Sequence, residues 1–175
     1  MTTFVSVGNA KQPFRRLLDA VVTLVNELPQ PVVVQQGNSR FSGTGCVVRP
    51  FMDMVEFEEC IRQAELIISH AGAGSIIHAI RAGKIPVVIP RLVEYAEIVD
   101  DHQVEFARAL AESGRIVLVQ EPNDLMEAVR EAMSRQRSAH TSNSVPPMID
   151  MVRKALQLHA AHVKQRSAVQ PERKS

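Results

Sequence analysis

The feature that most constrains this chain is a short apolar run leading into a glycine-rich turn and then a helical pattern. The apolar run covers residues 66–68, the turn 69–75 with the sequence SHAGAGS, and the helical pattern 76–82. A buried strand followed by such a turn points unpaired backbone N–H groups and the positive end of a helix dipole at one place. That geometry favours an anion, most often a phosphate.

Short apolar runs alternate with helical patterns along most of the chain. The spacing predicts strands at 4–7, 32–35, 46–48, 66–69, 85–89 and 116–119, and helices at 14–28, 54–63, 75–82, 101–112 and 122–134. Continuous rather than alternating apolar strands are typical of a parallel sheet covered on both faces. We therefore expect an α/β fold, a Rossmann-like doubly wound parallel sheet, whose ligands bind beyond the carboxyl ends of the strands.

The domain organisation follows from a change of composition near the end of the chain. Residues 1–135 are predicted to form one ligand-binding domain and 136–145 a polar linker. Pro146-Pro147 opens a predicted C-terminal helix at 146–164, followed by a flexible tail at 165–175. The helix is expected to be an arm that packs on its own domain or docks on a partner, and its pattern fits both.

Composition excludes several classes of function. The 175 residues carry a formal net charge of +1 and only 4% aromatic residues, which disfavours a nucleic-acid partner. The two cysteines lie in no metal-binding pattern, and no apolar run approaches the length of about 18 residues that a membrane span needs. The amino terminus lacks a secretory pattern, so a cytoplasmic protein is expected. Neither GxGxxG after the first strand nor GxxxxGK[ST] is present.

Small residues in the turn Gly72-Ala73-Gly74-Ser75 fit either a tight strand–helix connection or a phosphate site. The phosphate interpretation is favoured because His70 and Ser75 add donors on either side. His70 is expected to donate to a phosphate oxygen or to bond a carbonyl at the strand end. His78 lies about one helical turn after Ser75, so it faces the ligand or packs against the next loop.

Two further segments follow predicted strands. In Asp100-Asp101-His102-Gln103 an aspartate suits a helix N-cap, whereas His102 and Gln103 suit hydrogen bonds to sugar hydroxyls or an ordinary helix surface. Phe51 and Met52 follow the strand that ends near Pro50, where an apolar pair holds a base or plugs the core beneath a loop.

Together these residues resemble the C-terminal, nucleotide-sugar-binding half of GT-B glycosyltransferases of the MurG group. The resemblance runs from residue 4 to about 133 and rests on the HxGxGS turn paired with a DHQ loop. It is closer to stand-alone catalytic subunits of split enzymes. These are the eukaryotic UDP-GlcNAc transferase that acts on dolichol-linked sugar and the bacterial PssE-type exopolysaccharide subunits. It implies the C-terminal half of a GT-B fold with a C-terminal helical arm.

The resemblance implies a role for each matching residue. It assigns Phe51 and Met52 to the uracil ring, and His102 and Gln103 to the donor sugar. Glu97, in the same loop, is also assigned to the UDP-sugar site, and this loop is most similar to the bacterial members. The remaining positions that match the family's donor site are in the phosphate-binding turn and the first-strand loop: His70, Gly72, Ala73, Gly74, Ser75, Gly8 and Asn9. His78 departs from the family, since many relatives carry an acidic residue there that contacts the ribose.

The implied activity is transfer of a sugar from a UDP-sugar to a lipid-linked acceptor, with inversion and without a metal or other cofactor. No DxD motif is present, and His70 and His102 are the candidate catalytic residues by type. No acceptor domain is expected to precede this one, so the resemblance implies a membrane-anchored, acceptor-binding partner of the PssD type. It also implies a peripheral position at the inner face of the membrane and a role in exopolysaccharide synthesis.

Two other functional classes fit parts of the pattern. A non-catalytic nucleotide-sugar-binding regulatory module would keep the turn and need no partner. An ordinary Rossmann enzyme would need a cofactor fingerprint at Gly8, which is missing. The donor sugar stays open, and Arg91, expected to be exposed, is a candidate partner for the carboxylate of a uronic acid.

Overall fold

The computed structural model describes residues 2–99 and 102–141. Its strands are β1 (Thr3–Ser6), β2 (Val32–Gln35), β3 (Cys46–Arg49), β4 (Leu66–His70), β5 (Val87–Ile89) and β6 (Val117–Leu118). Its helices are α1 (Arg15–Leu24), α2 (Met54–Gln63), α3 (Ala73–Arg81), α4 (His102–Glu112) and α5 (Leu125–Thr141). Single 3-10 turns lie at Val93–Tyr95 and Pro122–Asp124.

The six strands form one parallel sheet in the order β3-β2-β1-β4-β5-β6. This order confirms the predicted doubly wound fold. The chain winds outward in one direction from β1 and in the other from β4, so the strand order reverses between these two neighbours. Ser6 of β1 pairs in register with Gln35 of β2 and Ser69 of β4, which brings three polar strand ends together at the carboxyl edge. Ligands bind at such a reversal point in open α/β sheets.

Burial on both faces explains why the strands are continuously apolar. One face packs against α1 and α5, with Val5, Ile68 and Ile89 completely buried. The other face packs Phe4 and Ile67 against α2 and α3. An alternating strand would place polar side chains against one of these helical layers.

The last described helix differs from the predicted domain boundary. Helix α5 continues to Thr141 and so includes residues 136–141 of the predicted linker. The reason is Gln136, whose side chain is buried and accepts a hydrogen bond from the backbone N–H of Ile85 at 3.1 Å. The predicted C-terminal helix at 146–164 and the tail at 165–175 lie outside the described residues. No helix in the described part of the chain is long and apolar enough to cross a membrane.

Candidate functional site

A cleft of about 260 Å³ opens at the carboxyl edge of the sheet, above β1 and β4 and beside α2 and α3. Its position is the point where the strand order reverses. Eight residues that the sequence placed in a donor site line it: Gly8, Asn9, Met52, His70, Gly72, Gly74, Ser75 and His78. Its other lining residues are Gln35, Asp53, Met54 and Phe57.

The amino terminus of α3 presents unpaired donors to this cleft. The N-cap residue is Gly72, in an extended conformation and without a side-chain cap. The first hydrogen bond of the helix runs from the Ile76 N–H to the Gly72 carbonyl at 3.1 Å. The preceding N–H groups, of Ala73, Gly74 and Ser75, have no helical acceptor behind them. These donors and the helix dipole together make an anion-binding site.

Gly74 has no structural reason to be glycine. A Cβ added there would meet no protein atom within 4 Å. Glycine inside a helix costs about 1 kcal/mol relative to alanine. Gly74 lines the cleft, and its missing Cβ permits a ligand to approach the backbone closely.

His70 is buried between two glycine backbones. A Cβ added at Gly8 would lie 2.4 Å from its ring, and one at Gly72 would lie 2.1 Å from Nε2, the first at a positive φ of 73°. The ring Nδ1 lies 3.4 Å from the Ser6 carbonyl oxygen. The strand-end interaction, one of the two predicted roles of His70, is therefore present.

Burial, with a smaller effect of the nearby Arg91 charge, lowers the pKa of His70 to about 4. The ring is therefore neutral at pH 7. Since a carbonyl can only accept, Nδ1 carries the proton and Nε2 is left as an acceptor. A general base works best with a pKa near the working pH, so His70 is a weak base for catalysis.

The apolar wall of the cleft is formed by Met52 and by residues of α2, and not by the predicted pair Phe51 and Met52. Met52 lines the cleft, whereas Phe51 is 49% exposed and is not among the lining residues. Phe57 takes its place, with its ring edge-on to Phe4 at 5.4 Å and to His78 at 6.2 Å. The sequence reasoning missed Phe57 because its position in α2 fits an ordinary core residue.

His78 faces both the cleft and helix α2. Its Nδ1 lies 3.2 Å from Oε1 of Glu58. The site therefore has a carboxylate close to the position where, by the resemblance, many relatives carry an acidic residue. Here it comes from the neighbouring helix.

Arg91 is completely buried, which corrects the expectation that it is exposed. Its guanidinium donates to three backbone carbonyls, those of Val7 at 2.8 Å, Gln12 at 2.9 Å and Glu97 at 3.0 Å. It also lies over the Phe14 ring at 4.7 Å. Desolvation lowers its pKa to about 10, so it remains charged at pH 7. Arg91 thus joins the loop between β1 and α1 to its own loop after β5.

Glu97 does not line the cleft, in contrast to its assignment from the resemblance. It is 4% exposed, and its carboxylate accepts from Arg16 at 2.9 and 3.2 Å and from the Leu92 N–H at 3.1 Å. Both oxygens are therefore occupied within the protein. No local sequence pattern signals this pair, because Arg16 lies on a helix 81 residues away.

His102 and Gln103 begin α4, beyond the loop that follows the neighbouring strand β5. Gln103 is not among the residues that line the cleft. The side-chain oxygen of Gln103 is buried and has no partner among residues 2–99 and 102–141. The side chain of His102 and both aspartates before it lie outside the described part of the chain. Ala73 contributes its backbone N–H at the α3 terminus and is likewise not a lining residue.

Comparison with known proteins places this geometry in a family. Residues 2–159 match the model of the glycosyltransferase family 28 C-terminal domain. The chain belongs to this family. The glycine-rich turn, the cleft and α3 all lie within the matched residues.

Curated relatives of this family 28 domain are glycosyltransferases or their subunits. The UDP-N-acetylglucosamine transferase subunit ALG13 of Cryptococcus neoformans is 38% identical over 87 residues, which cover 49% of this chain and 42% of the relative. An Acinetobacter baylyi relative is 32% identical over 136 residues, covering 69% of this chain and 35% of its own length. Its name is UDP-N-acetylglucosamine--N-acetylmuramyl-(pentapeptide) pyrophosphoryl-undecaprenol N-acetylglucosamine transferase. The chain thus spans less than half the length of these relatives.

Among solved structures, the glycosyltransferase of kitacinnamycin has a TM-score of 0.61 and 20% identity, over 94% of this chain and 42% of its own. This likeness supports the GT-B-type Rossmann fold of the family 28 domain.

Proposed function

We propose that this family 28 domain binds a UDP-sugar in the cleft and acts as the donor-binding, catalytic subunit of an inverting, metal-independent glycosyltransferase. The observation that carries the proposal is the uncapped amino terminus of α3, which opens on the cleft at the carboxyl edge of the sheet. Its free N–H groups and the Ser75 hydroxyl suit the diphosphate of the donor. These donors would also stabilise the charge that UDP gains as it leaves.

The remaining parts of a UDP-sugar have chemically suitable neighbours. Met52 and Phe57 provide an apolar wall for the uracil, and the His78–Glu58 pair provides groups for the ribose hydroxyls. The buried, unpaired oxygen of Gln103 is an acceptor that a sugar hydroxyl can satisfy. His102, at the start of the same helix, is proposed to assist it. The low pKa of His70 leaves His102 or a partner subunit to supply the general base.

A partner subunit is part of the proposal. Of the eight exposed large hydrophobic residues in the described part of the chain, six lie in two segments that follow β3 and β5: Phe51, Met54, Val55, Val93, Tyr95 and Val99. Such a concentration of exposed apolar residues is typical of a protein interface. The printed name of the Cryptococcus relative calls it a subunit.

We propose an acceptor-binding, membrane-anchored partner of the PssD type that holds the domain at the inner face of the membrane. The acceptor is proposed to be a lipid-linked sugar, in agreement with the undecaprenol-bearing acceptor in the name of the Acinetobacter relative. Assembly of an exopolysaccharide is the pathway that we propose.

Isothermal titration of the full chain with UDP tests the donor site. Removing the Ser75 hydroxyl in Ser75→Ala should weaken UDP binding about tenfold, since a charge-assisted hydrogen bond is worth about 1.5–3 kcal/mol. Ser113→Ala is the matched control because its hydroxyl bonds the Leu110 carbonyl at the far end of α4. Equal affinities of wild type and Ser75→Ala would contradict the assignment.

Transfer is tested separately, by co-expression with a membrane-anchored candidate partner and assay with radiolabelled UDP-sugars. Incorporation into lipid-extractable product only when both chains are present would support a split transferase. Tight UDP-sugar binding without transfer to any acceptor would favour the regulatory binding module instead.

A further inference from the structure

A series of hydrogen bonds through buried side chains connects Gly8, in the loop after β1, to Asn9 at the rim of the cleft. The backbone N–H of Gly8 donates to Oγ of Ser6 at 3.3 Å, and this hydroxyl lies 2.7 Å from Oε1 of Gln35. The Nε2 group of Gln35 donates to Oδ1 of Asn9 at 3.1 Å. Ser6 is 1% exposed and Gln35 is 3% exposed, whereas Asn9 is exposed and lines the cleft.

The donors and acceptors of this hydrogen-bonded series follow one direction, from Gly8 to Asn9 through Ser6 and Gln35. The Ser6 oxygen accepts from the Gly8 N–H, and the Ser6 hydroxyl donates to the Gln35 carbonyl oxygen. The Gln35 amine is then left to face Asn9, whose carbonyl oxygen accepts from it. The amine of Asn9, Nδ2, remains as the group that the side chain offers to a ligand, and it is a donor only.

We propose that Gln35 is a positioning residue that holds the Asn9 carboxamide with its amine available to the anionic part of the ligand. The proposal rests on the proposed donor site and deepens it. The Asn9 side chain then supplies a donor from the loop after β1, in addition to the backbone donors from α3. An anion would therefore receive hydrogen bonds from two segments of the protein. Gln35 is thus proposed to act through Asn9, and because it also lines the cleft, the double variant below separates this effect from a contact of its own.

The orientation is tested first without any nucleotide. In Gln35→Glu, studied at a pH where the new carboxyl group is ionised, the carboxylate can only accept, so the Asn9 carboxamide must turn over and donate Nδ2 to it. Side-chain amide NMR should show solvent exchange of the Asn9 Nδ2 protons slowed by about tenfold relative to wild type, because a hydrogen bond to a charged group forms. An unchanged exchange rate would overturn the proposal.

Binding of UDP provides the second test, with a neutral variant. Gln35→Met keeps the length of the side chain but loses both polar atoms, so the Asn9 carboxamide loses its fixed orientation. UDP affinity should fall about fivefold in Gln35→Met and about tenfold in Asn9→Ala, and the double variant should match Asn9→Ala alone. Fully additive losses would overturn the proposal, because Gln35 would then act independently of Asn9.

Gln36→Met is the matched control, since Gln36 lies beside Gln35 but its Oε1 accepts from the Phe41 N–H at 3.2 Å. It should leave both the exchange rate and the UDP affinity unchanged. Failure of wild type to bind UDP would contradict the proposed function, and the amide exchange of Gln35→Glu would still decide the orientation of Asn9.

Discussion

Two loops leave the carboxyl edge of the sheet from neighbouring strands, β4 and β5, and they treat polar groups in opposite ways. The turn at 70–75 consists mainly of small residues and leaves the first N–H groups of α3 without a cap. The loop at 90–99 buries a charged pair, Arg16 and Glu97, and a second arginine, Arg91, whose guanidinium donates to three carbonyls.

The difference follows from the cost of desolvation. A buried charge is tolerated only when protein partners replace its water, so most of the polar groups of the loop after β5 are bonded within the protein. The donors of the turn after β4 stay beside an open cleft, where water or a ligand satisfies them. Substitutions in the loop after β5 should therefore change the stability of the fold, and substitutions in the turn after β4 should change ligand binding.

The largest effect is expected for Arg91→Met. Three carbonyls, those of Val7, Gln12 and Glu97, lose their donor in a buried position. The free energy of unfolding should fall by about 4 kcal/mol, measured by urea denaturation. Arg49→Met, at a half-exposed arginine, is the control and should stay within about 0.5 kcal/mol of wild type. Equal costs for the two variants would show that Arg91 does not hold the loops.

Glu97→Gln should lower the free energy of unfolding by about 3 kcal/mol, because it leaves the Arg16 charge without its buried partner. UDP affinity, measured by titration under conditions where the variant is fully folded, should stay at the wild-type value. Loss of UDP binding without loss of stability would instead support the donor-site role that the resemblance implied for Glu97.

The His70 ring should make stability depend on pH. Its pKa is about 4 in the folded protein and 6.5 when unperturbed, so between these values the unfolded chain binds a proton that the folded protein does not. Stability from this residue is complete above pH 6.5 and falls by about 3 kcal/mol as the pH is lowered toward 4.

Denaturation of wild type and His70→Gln at a series of pH values measures this term. The difference between the two should change across this window, whereas His78→Gln, the matched change in the same cleft, should keep the His70-dependent slope. Parallel curves for wild type and His70→Gln would contradict a buried, neutral His70.

The smallest stability effect, with the opposite sign, is expected for Gly74→Ala. Alanine favours the helix by up to about 1 kcal/mol, and the added Cβ meets no protein atom within 4 Å. The same Cβ faces the cleft, so UDP affinity should fall at least about tenfold. Ala109→Gly on the exposed face of α4 makes the reverse change and should lower stability without affecting UDP. Unchanged UDP affinity in Gly74→Ala would place the ligand elsewhere.

Most of the fold could be predicted because its signals are local. The bounds of β2 and α2 agree with the predicted 32–35 and 54–63 residue for residue. The strand–turn–helix unit around Gly72 is likewise encoded in contiguous residues. The end of α5 was missed because Gln136, polar in sequence, is held by backbone groups of distant segments.

The site was predicted in part. Met52 lines the cleft together with four residues of the turn, but Ala73, Phe51 and Glu97 do not line it. The four are His70, Gly72, Gly74 and Ser75. Gln35 is a polar residue at the end of an apolar strand. Its role can be inferred only when its hydrogen-bond partners, Ser6 and Asn9, are known.

The sequence by itself determined the parallel sheet and the anion-binding end of α3, because hydrophobic runs and backbone geometry depend on adjacent residues. Only the tertiary structure decided which polar side chains form hydrogen bonds within the protein and which are left to bind a ligand. Arg91 reaches the Val7 carbonyl across 84 residues, and Gln35 reaches Asn9 across 26. The partner of a buried polar group depends on which strands become neighbours in the sheet, and no local pattern contains that information.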